Sequence, residues 1–288
     1  MIWHDIRDPG DPELDRLAAL YSLHPLHIED CRHRKQNAKL EDNSQYLFIV
    51  LKPLEIEEDG SLEFDDLDFF VGRDFLITVV ESESHTIRRL LDEIKETASG
   101  LRSDQLFYRI MDRLVDSYLP VLDRFSRTID SLEEEALDVA SPETLARLFS
   151  TRRHLIGLRR VLTNSRDVAG HLQRLRSELV AQDMWPFLRD VYDHLARNLD
   201  TSDVQRELLT AVVEIYMSTV ANRTNNVMKA LTVLGTIALP ALVISSFYGM
   251  NLKSLPAVEW PHATGVVFLF MAGSTGLLLW LLRKYGWF

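Results

Sequence analysis

The sequence predicts an α+β N-terminal domain, then long α-helices, then two membrane-spanning helices at the C-terminal end. Three observations carry this reading. Short apolar runs alternate with one helical pattern over residues 1–100, apolar residues recur at four-residue spacing beyond residue 104, and two uncharged runs of 18 and 19 residues lie near the end. The expected division is an α/β domain over 1–100, a long-helix region over 101–224 with a stalk starting near 186, and a transmembrane hairpin over 225–288.

Along the chain, the run YLFIVL at 46–51 has strand composition. Residues 67–71 and 75–80 flank Gly72-Arg73-Asp74 and predict a hairpin with a glycine-containing turn. Ile87, Leu90, Leu91 and Ile94 follow the i, i+3, i+4, i+7 rule, which predicts a helix over 85–98 closed by Gly100. Leu106, Ile110, Leu114, Tyr118 and Leu122 mark the first long helical stripe. Ser141-Pro142-Glu143 reads as a helix start, with a capping hydroxyl, proline at the first position and an acid in the first turn. That helix continues through Leu145, Leu148, Leu155, Leu158 and Leu162. Trp185-Pro186 marks a further restart, after which neither Gly nor Pro occurs until Gly235. A continuous helix over 186–247 would measure about 93 Å at 1.5 Å per residue.

Charge divides the chain sharply. Residues 225–288 hold four bases and one acid, leaving +3 there and −14 on residues 1–224 out of a total of −11. Such an acidic soluble part argues against nucleic acid as a partner and suits a surface that handles cations. A single cysteine, Cys31, excludes an intrachain disulfide and favours a reducing compartment. The polar opening Met1-Ile2-Trp3-His4-Asp5 lacks the basic-then-apolar pattern of a signal peptide. Residues 230–247 and 264–282 are each long enough to cross about 30 Å of hydrocarbon. Arg223 and Lys229 precede the first run and Arg283 and Lys284 follow the second, whereas the connecting loop carries only Lys253. The positive-inside rule therefore predicts both ends in the cytoplasm and a short external loop. Two helices cannot enclose a water-filled path, so any pore needs several copies of the chain.

Directly after the first run comes Tyr248-Gly249-Met250-Asn251. This resembles the Gly-Met-Asn signature of the CorA magnesium/cobalt transporter family, which follows the first of two C-terminal spans. Further blocks extend the resemblance over nearly the whole chain: His24-Pro-Leu-His-Ile-Glu-Asp30, Ser131-Leu-Glu-Glu-Glu-Ala-Leu137, Phe187-Leu-Arg-Asp-Val-Tyr-Asp-His194 and Asn225-Asn-Val-Met-Lys-Ala-Leu-Thr232, with Pro240 inside the span. The resemblance implies a funnel-shaped homopentamer in the cell inner membrane. It implies Mg²⁺ influx, with Co²⁺ and Ni²⁺ as further ions, down the electrochemical gradient. No cofactor is implied, Mg²⁺ being both substrate and regulatory ligand, and the partners are sister subunits, the lipid bilayer and divalent cations.

On that footing Gly249, Met250 and Asn251 form the selectivity filter. A ring of neutral oxygens can accept hydrogen bonds from the tightly held first-shell waters of Mg²⁺ without trapping the ion. Gly249 permits an unusual backbone turn, and the same tripeptide would also serve as an ordinary helix C-cap. Walking back from the filter in steps of three and four gives a pore face of Ser246, Leu242, Leu239, Gly235, Leu231, Met228 and Asn225. Met228, Leu231 and Leu239 would then form apolar constrictions able to gate by dewetting. By resemblance, interfacial acids bind regulatory Mg²⁺ at Asp190 and Glu57, with Asp193 on the same helix face as Asp190 and Glu55, Glu58 and Asp59 as competitors for the Glu57 role. Lys253, two residues past Asn251, departs from the family's acidic outer loop. Neither span contains Asp, Glu or His, which disfavours an intramembrane proton relay. His24, His27, Cys31 and His33 could in principle hold zinc, but their spacing matches no standard finger and favours a structural role. A ZntB-type zinc transporter shares the expected architecture, although Met250 favours the magnesium branch. A non-conducting helical scaffold would not account for the filter tripeptide. The chain is not expected to be an enzyme, since no phosphate-cradling glycine loop, nucleophile elbow or His-Glu-x-x-His helix occurs.

Overall fold

A computed structural model describes residues 1–33, 36–56, 61–80, 85–175, 177–250 and 261–286. They fall into two compact units, Met1–Ala136 with Ser141–Val213 and Leu137–Ala140 with Glu214–Phe288.

The first unit begins with β1 (Ile2–Ile6), α1 (Pro12–Leu20) and α2 (Pro25–Arg32). Both helices start where proline follows a capping side chain: Asp11 accepts from the Glu13 amide at 2.8 Å, and His24 accepts from the Leu26 amide at 3.2 Å. The chain continues through β2 (Lys39–Asp42), β3 (Tyr46–Leu51), β4 (Leu54–Ile56), β5 (Leu62–Phe64), β6 (Leu67–Gly72) and β7 (Phe75–Val80). Five strands form one mixed sheet in the order β1-β7-β6-β3-β2, while β4 and β5 pair separately. Only the β1–β7 pair is parallel within the five-stranded sheet, with Ile2 opposite Phe75. The predicted hairpin is present as β6 and β7, and a Cβ at Gly72 would overlap the Phe75 ring.

Every residue of β3 is buried, because both faces of the sheet are covered. On one face Tyr46, Phe48, Val50, Phe70, Ile77 and Val79 pack with Leu14 and Leu17 of α1 and Ile28 and Cys31 of α2. On the other, Phe69 meets Phe107 of α4 (Ser103–Asp116) edge to face at 5.1 Å. Each fully buried Leu or Phe contributes about 1.5–3 kcal/mol relative to exposure. Before α4 lies α3 (His85–Lys95), shorter than the predicted 85–98, since a turn from the Thr97 amide to the Ile94 carbonyl ends it. Gly100 then takes φ +82°, a left-handed conformation suited to glycine.

The stripe from Leu106 to Leu122 is buried throughout but belongs to two helices, α4 and α5 (Leu119–Asp138). Pro120 has no amide to bond the Asp116 carbonyl, so the ladder breaks at Ser117 and Tyr118. The Ser117 hydroxyl donates to the Leu114 carbonyl at 2.6 Å there. α6 (Pro142–Arg174) starts as predicted, with the Ser141 hydroxyl accepting from the Thr144 amide at 3.1 Å. After a 3₁₀ turn at Gln182–Met184, α7 (Trp185–Gly249) runs for 65 residues, about 98 Å at 1.5 Å per residue, from the first unit into the second. α8 (Ala263–Lys284) completes the second unit. The C-terminal part of α7 and α8 are two helices long and apolar enough to cross a membrane.

Candidate functional site

Within the second unit, the two helices come together around a cleft lined by Val243, Ile244, Phe247, Val266, Val267 and Phe270. From residue 221 onward, Val233, Thr236, Pro240, Ala241, Ile244 and Tyr248 are the half-buried positions of α7, apart from Gly235. At 100° per residue they centre about 165° round the helix from the stripe Asn225, Met228, Leu231, Gly235, Leu239, Leu242, Ser246 and Gly249. All of that stripe except Gly235 is exposed, with Met228 at 62%, Leu231 at 68%, Leu239 at 60% and Leu242 at 62%. The predicted pore residues thus share one face of one helix, and that face is free of charge, apolar apart from Asn225 and Ser246, and turned away from the hairpin's own packing. Pro240 falls on the packed side, where it leaves the Thr236 carbonyl without its helical donor.

Gly249 is the last residue of α7, and the Met250 amide donates to the Phe247 carbonyl at 3.4 Å. The φ of Gly249 is not positive, and a Cβ placed on it would meet nothing within 4 Å among the described residues. Among the described residues, neither a left-handed cap nor crowding therefore requires glycine here. Asn251, the expected oxygen donor, and Glu57, the expected regulatory acid, lie outside the described residues.

A second constellation lies in the first unit. One oxygen each of Asp112 and Asp190 and one ring nitrogen of His194 lie within 4.8 Å of one another. α4 supplies Asp112 and Asp116 one turn apart, and α7 supplies Asp190 and His194 at the same spacing. The His194 ring reaches Asp190 at 3.6 Å through Nε2 and Asp116 at 3.9 Å through Nδ1. Partial burial holds the Asp112 carboxyl above its usual range, and the like charges of Asp116 and Asp190 add to this, while His194 opposes it. Burial and the same three carboxylates also raise the neighbouring Tyr108 phenol. Carboxylates beside an imidazole can serve as a donor set for a divalent cation, and the nitrogen suits first-row transition metals better than Mg²⁺. Asp193, the predicted companion of Asp190, is exposed and stands outside this group.

A model of the CorA-like Mg²⁺ transporter protein family matches residues 1–284. The chain is 30% identical over 278 residues to the cobalt/magnesium transport protein CorA of Thermotoga maritima, covering 95% of this chain and 79% of that protein. The chain belongs to the CorA-like Mg²⁺ transporter family. Its fold matches the complete structure of the CorA magnesium transporter of Methanocaldococcus jannaschii, with a TM-score of 0.86 at 24% identity, over 99% of this chain and 91% of that one. The cytoplasmic domain of ZntB from Vibrio parahaemolyticus is also similar, with a TM-score of 0.64 at 15% identity, over 77% of this chain and 87% of that one. In this CorA-like chain, Asp112 and His194 are the residues that sequence reasoning missed. His194 was within reach, standing four residues after Asp190 in a block already singled out, whereas nothing in the local pattern of α4 marks Asp112.

The histidine cluster near the N-terminus is structural. His27 is buried, stacked on Phe48 at 4.4 Å, with its ring nitrogens at 2.9 Å from the Tyr46 hydroxyl and 3.1 Å from Glu41. His33 reaches the Glu29 carbonyl and Cys31 is packed into the core, so the four side chains do not converge on one point.

Proposed function

We propose that the protein is a divalent-cation channel that admits Mg²⁺, with Co²⁺ and Ni²⁺ as further ions, as a homopentamer in the cell inner membrane with both termini cytoplasmic. One observation carries the proposal beyond family membership: the uncharged exposed stripe of α7 lies opposite the side packed in the hairpin. A helix whose second face is apolar and unoccupied gains by meeting copies of itself, and five such faces enclose a path lined by Asn225, Met228, Leu231, Gly235, Leu239, Leu242 and Ser246. In this reading Gly249, Met250 and Asn251 form the filter, and the missing side chain of Gly249 matters where five copies approach. The division into an α/β domain over 1–100, a long-helix region over 101–224 and a transmembrane hairpin over 225–288 is part of the same proposal.

Cytoplasmic Mg²⁺ closes the channel by binding at Asp190 with Glu57, and Asp193 is a further candidate ligand. The proximity of Asp112 and His194 to Asp190 supports a metal-responsive role for this place on α7. A ZntB-type zinc transporter is the alternative, favoured by the imidazole in that donor set. The deciding experiment is ion flux into liposomes for Mg²⁺, Co²⁺ and Zn²⁺ under a set potential and pH. A divalent ion crossing 100 mV gains about 4.6 kcal/mol, so uptake should follow voltage and concentration. Uptake that instead follows an imposed pH difference, at zero potential and zero ion gradient, would refute a channel.

A further inference from the structure

The outer face of α6 runs against the composition of the chain. Acids outnumber Lys and Arg by 43 to 32 overall, yet the α6 sequence holds seven arginines against two acids, Glu143 and Asp167. Three of those arginines, Arg152, Arg153 and Arg160, are exposed beside Phe149 and Ile156, two large apolar side chains that stand two turns apart with more than half their surface open. Phe64 of β5 lies over Gly157, and that contact falls on another side of α6, about 80–140° round the helix from Phe149, Arg152 and Ile156.

A face of opposite charge lies on the neighbouring helices of the same unit. Val204 and Leu208, one turn apart on α7, are also more than half exposed, and Asp200 and Glu207 are exposed next to them. α5 adjoins this part of α7, since the Gln205 side-chain amide donates to the Leu122 carbonyl at 2.7 Å and to the Ser126 hydroxyl at 2.9 Å. Asp123 and Asp130 lie within about 60° of Ser126 round α5 and are exposed too, with Arg127 at the outer edge. Guanidiniums beside apolar anchors on one surface and carboxylates beside apolar anchors on another are complementary.

Their placement decides which copies can bring them together. Arg159 pairs with Asp203 at 2.5 Å and Gln173 donates to the Leu188 carbonyl at 3.3 Å, so α6 and α7 run antiparallel with Ile156 level with residue 206. The two faces therefore lie at one height along the helices. Asp203, which reaches α6, is about 100–140° round α7 from Val204 and Leu208. The acidic face is thus on the flank of α7 away from α6, where a single chain cannot join it to the basic one. Cyclic symmetry turns subunits about an axis without shifting them along it, so unlike surfaces at one height on opposite flanks meet head to tail and close a ring.

We propose that the outer face of α6 in one copy docks on the α5–α7 flank of the next copy. Phe149 and Ile156 then meet Val204 and Leu208, and Arg152, Arg153 and Arg160 meet Asp123, Asp130, Asp200 and Glu207. This docking rests on the homopentamer reading, with α7 running along the ring axis, and names the surfaces of the first unit that hold the ring together.

The test is thiol cross-linking of the full-length protein in detergent with a short bifunctional reagent. Ile156→Cys and Leu208→Cys in one chain should give a ladder of bands beyond the dimer, because each subunit then offers one thiol to each neighbour. Either substitution alone should leave monomers, since the native Cys31 is buried. In the double-cysteine chain, Arg152→Glu should slow cross-linking about threefold, and adding Glu207→Arg should restore it. Light scattering of the unsubstituted protein reads the assembly separately. A monomer or dimer there overturns both the ring and this contact. A pentamer whose double-cysteine chain gives no ladder overturns the contact alone and leaves the α6 face to a different acidic partner. Dimers from a single cysteine would show two copies of the same face meeting, which refutes head-to-tail docking.

Discussion

Replacing Asp68 with Asn should stabilise the protein at pH 8 and flatten its stability between pH 5 and pH 8. Asp68 lies on β6 in the middle of the sheet at 2% exposure, and its Oδ1 has no hydrogen-bond partner among the described residues. Burial drives its carboxyl up from 3.8 to about 7, and the like charge of Asp66 adds to this; the Cys31 thiol and the Lys52 ammonium pull it back, and Asp30 raises it again. Lys52 does not neutralise it because that ammonium is already paired with Asp66. In the unfolded chain the carboxyl gives up its proton near pH 4, whereas the native state retains it to about pH 7. Over that window the folded state binds more protons, so stability is fully present below the unfolded value and falls as pH rises. The whole shift corresponds to on the order of 4 kcal/mol, of which about 2.5 kcal/mol falls between pH 5 and pH 8. Asparagine occupies the same volume without the charge. Thermal unfolding of the two proteins in detergent across that range measures the difference, and titrations common to both cancel. Parallel stability curves for wild type and Asp68→Asn would refute the reasoning.

Three further outcomes follow from the same structure. Asn251→Ala should abolish Mg²⁺ uptake in liposomes while leaving oligomer size by gel filtration unchanged, since on the proposed reading it removes the filter oxygen. Asp190→Asn combined with Asp112→Asn should shift inhibition by internal Mg²⁺ at least about tenfold toward higher concentration without reducing maximal current, whereas identical inhibition curves would place the sensor elsewhere. Gly72→Ala should cost about 1–3 kcal/mol through overlap with the Phe75 ring at the β6–β7 turn, read as a lower melting temperature.

What was legible in the sequence was what depends on near neighbours. The β6–β7 hairpin, the Ser141 cap and the restart at Trp185 are set by turn chemistry and capping within four residues, and each stands where the pattern put it. The break between α4 and α5 was also written locally, in Pro120, but an uninterrupted apolar stripe concealed it. Leu114, Tyr118 and Leu122 stay buried on both sides of the break because the two helices face the same core. The parallel pairing of β1 with β7 joins residues more than 70 positions apart, and no local periodicity encodes such a partner.

The same distinction separates the two candidate sites. The stripe on α7 is periodic, so stepping back from Gly249 recovers a face that the structure leaves exposed. The group around Asp190 needs two helices, and its members Asp112 and His194 are ordinary solvated residues until α4 and α7 are laid side by side. That contrast explains why a sequence can indicate an ion path before it indicates a sensor. A path is repeated by symmetry from one helix, so one periodic face specifies it. A sensor must change its free energy when separate elements move, so its ligands have to come from elements that local sequence does not connect. Asp190 and His194, one turn apart on α7, cannot report movement by themselves. Joined to Asp112 on α4, they would, on the proposed reading, make cation binding sensitive to the spacing of the two helices, and by reciprocity a change in that spacing would alter cation affinity.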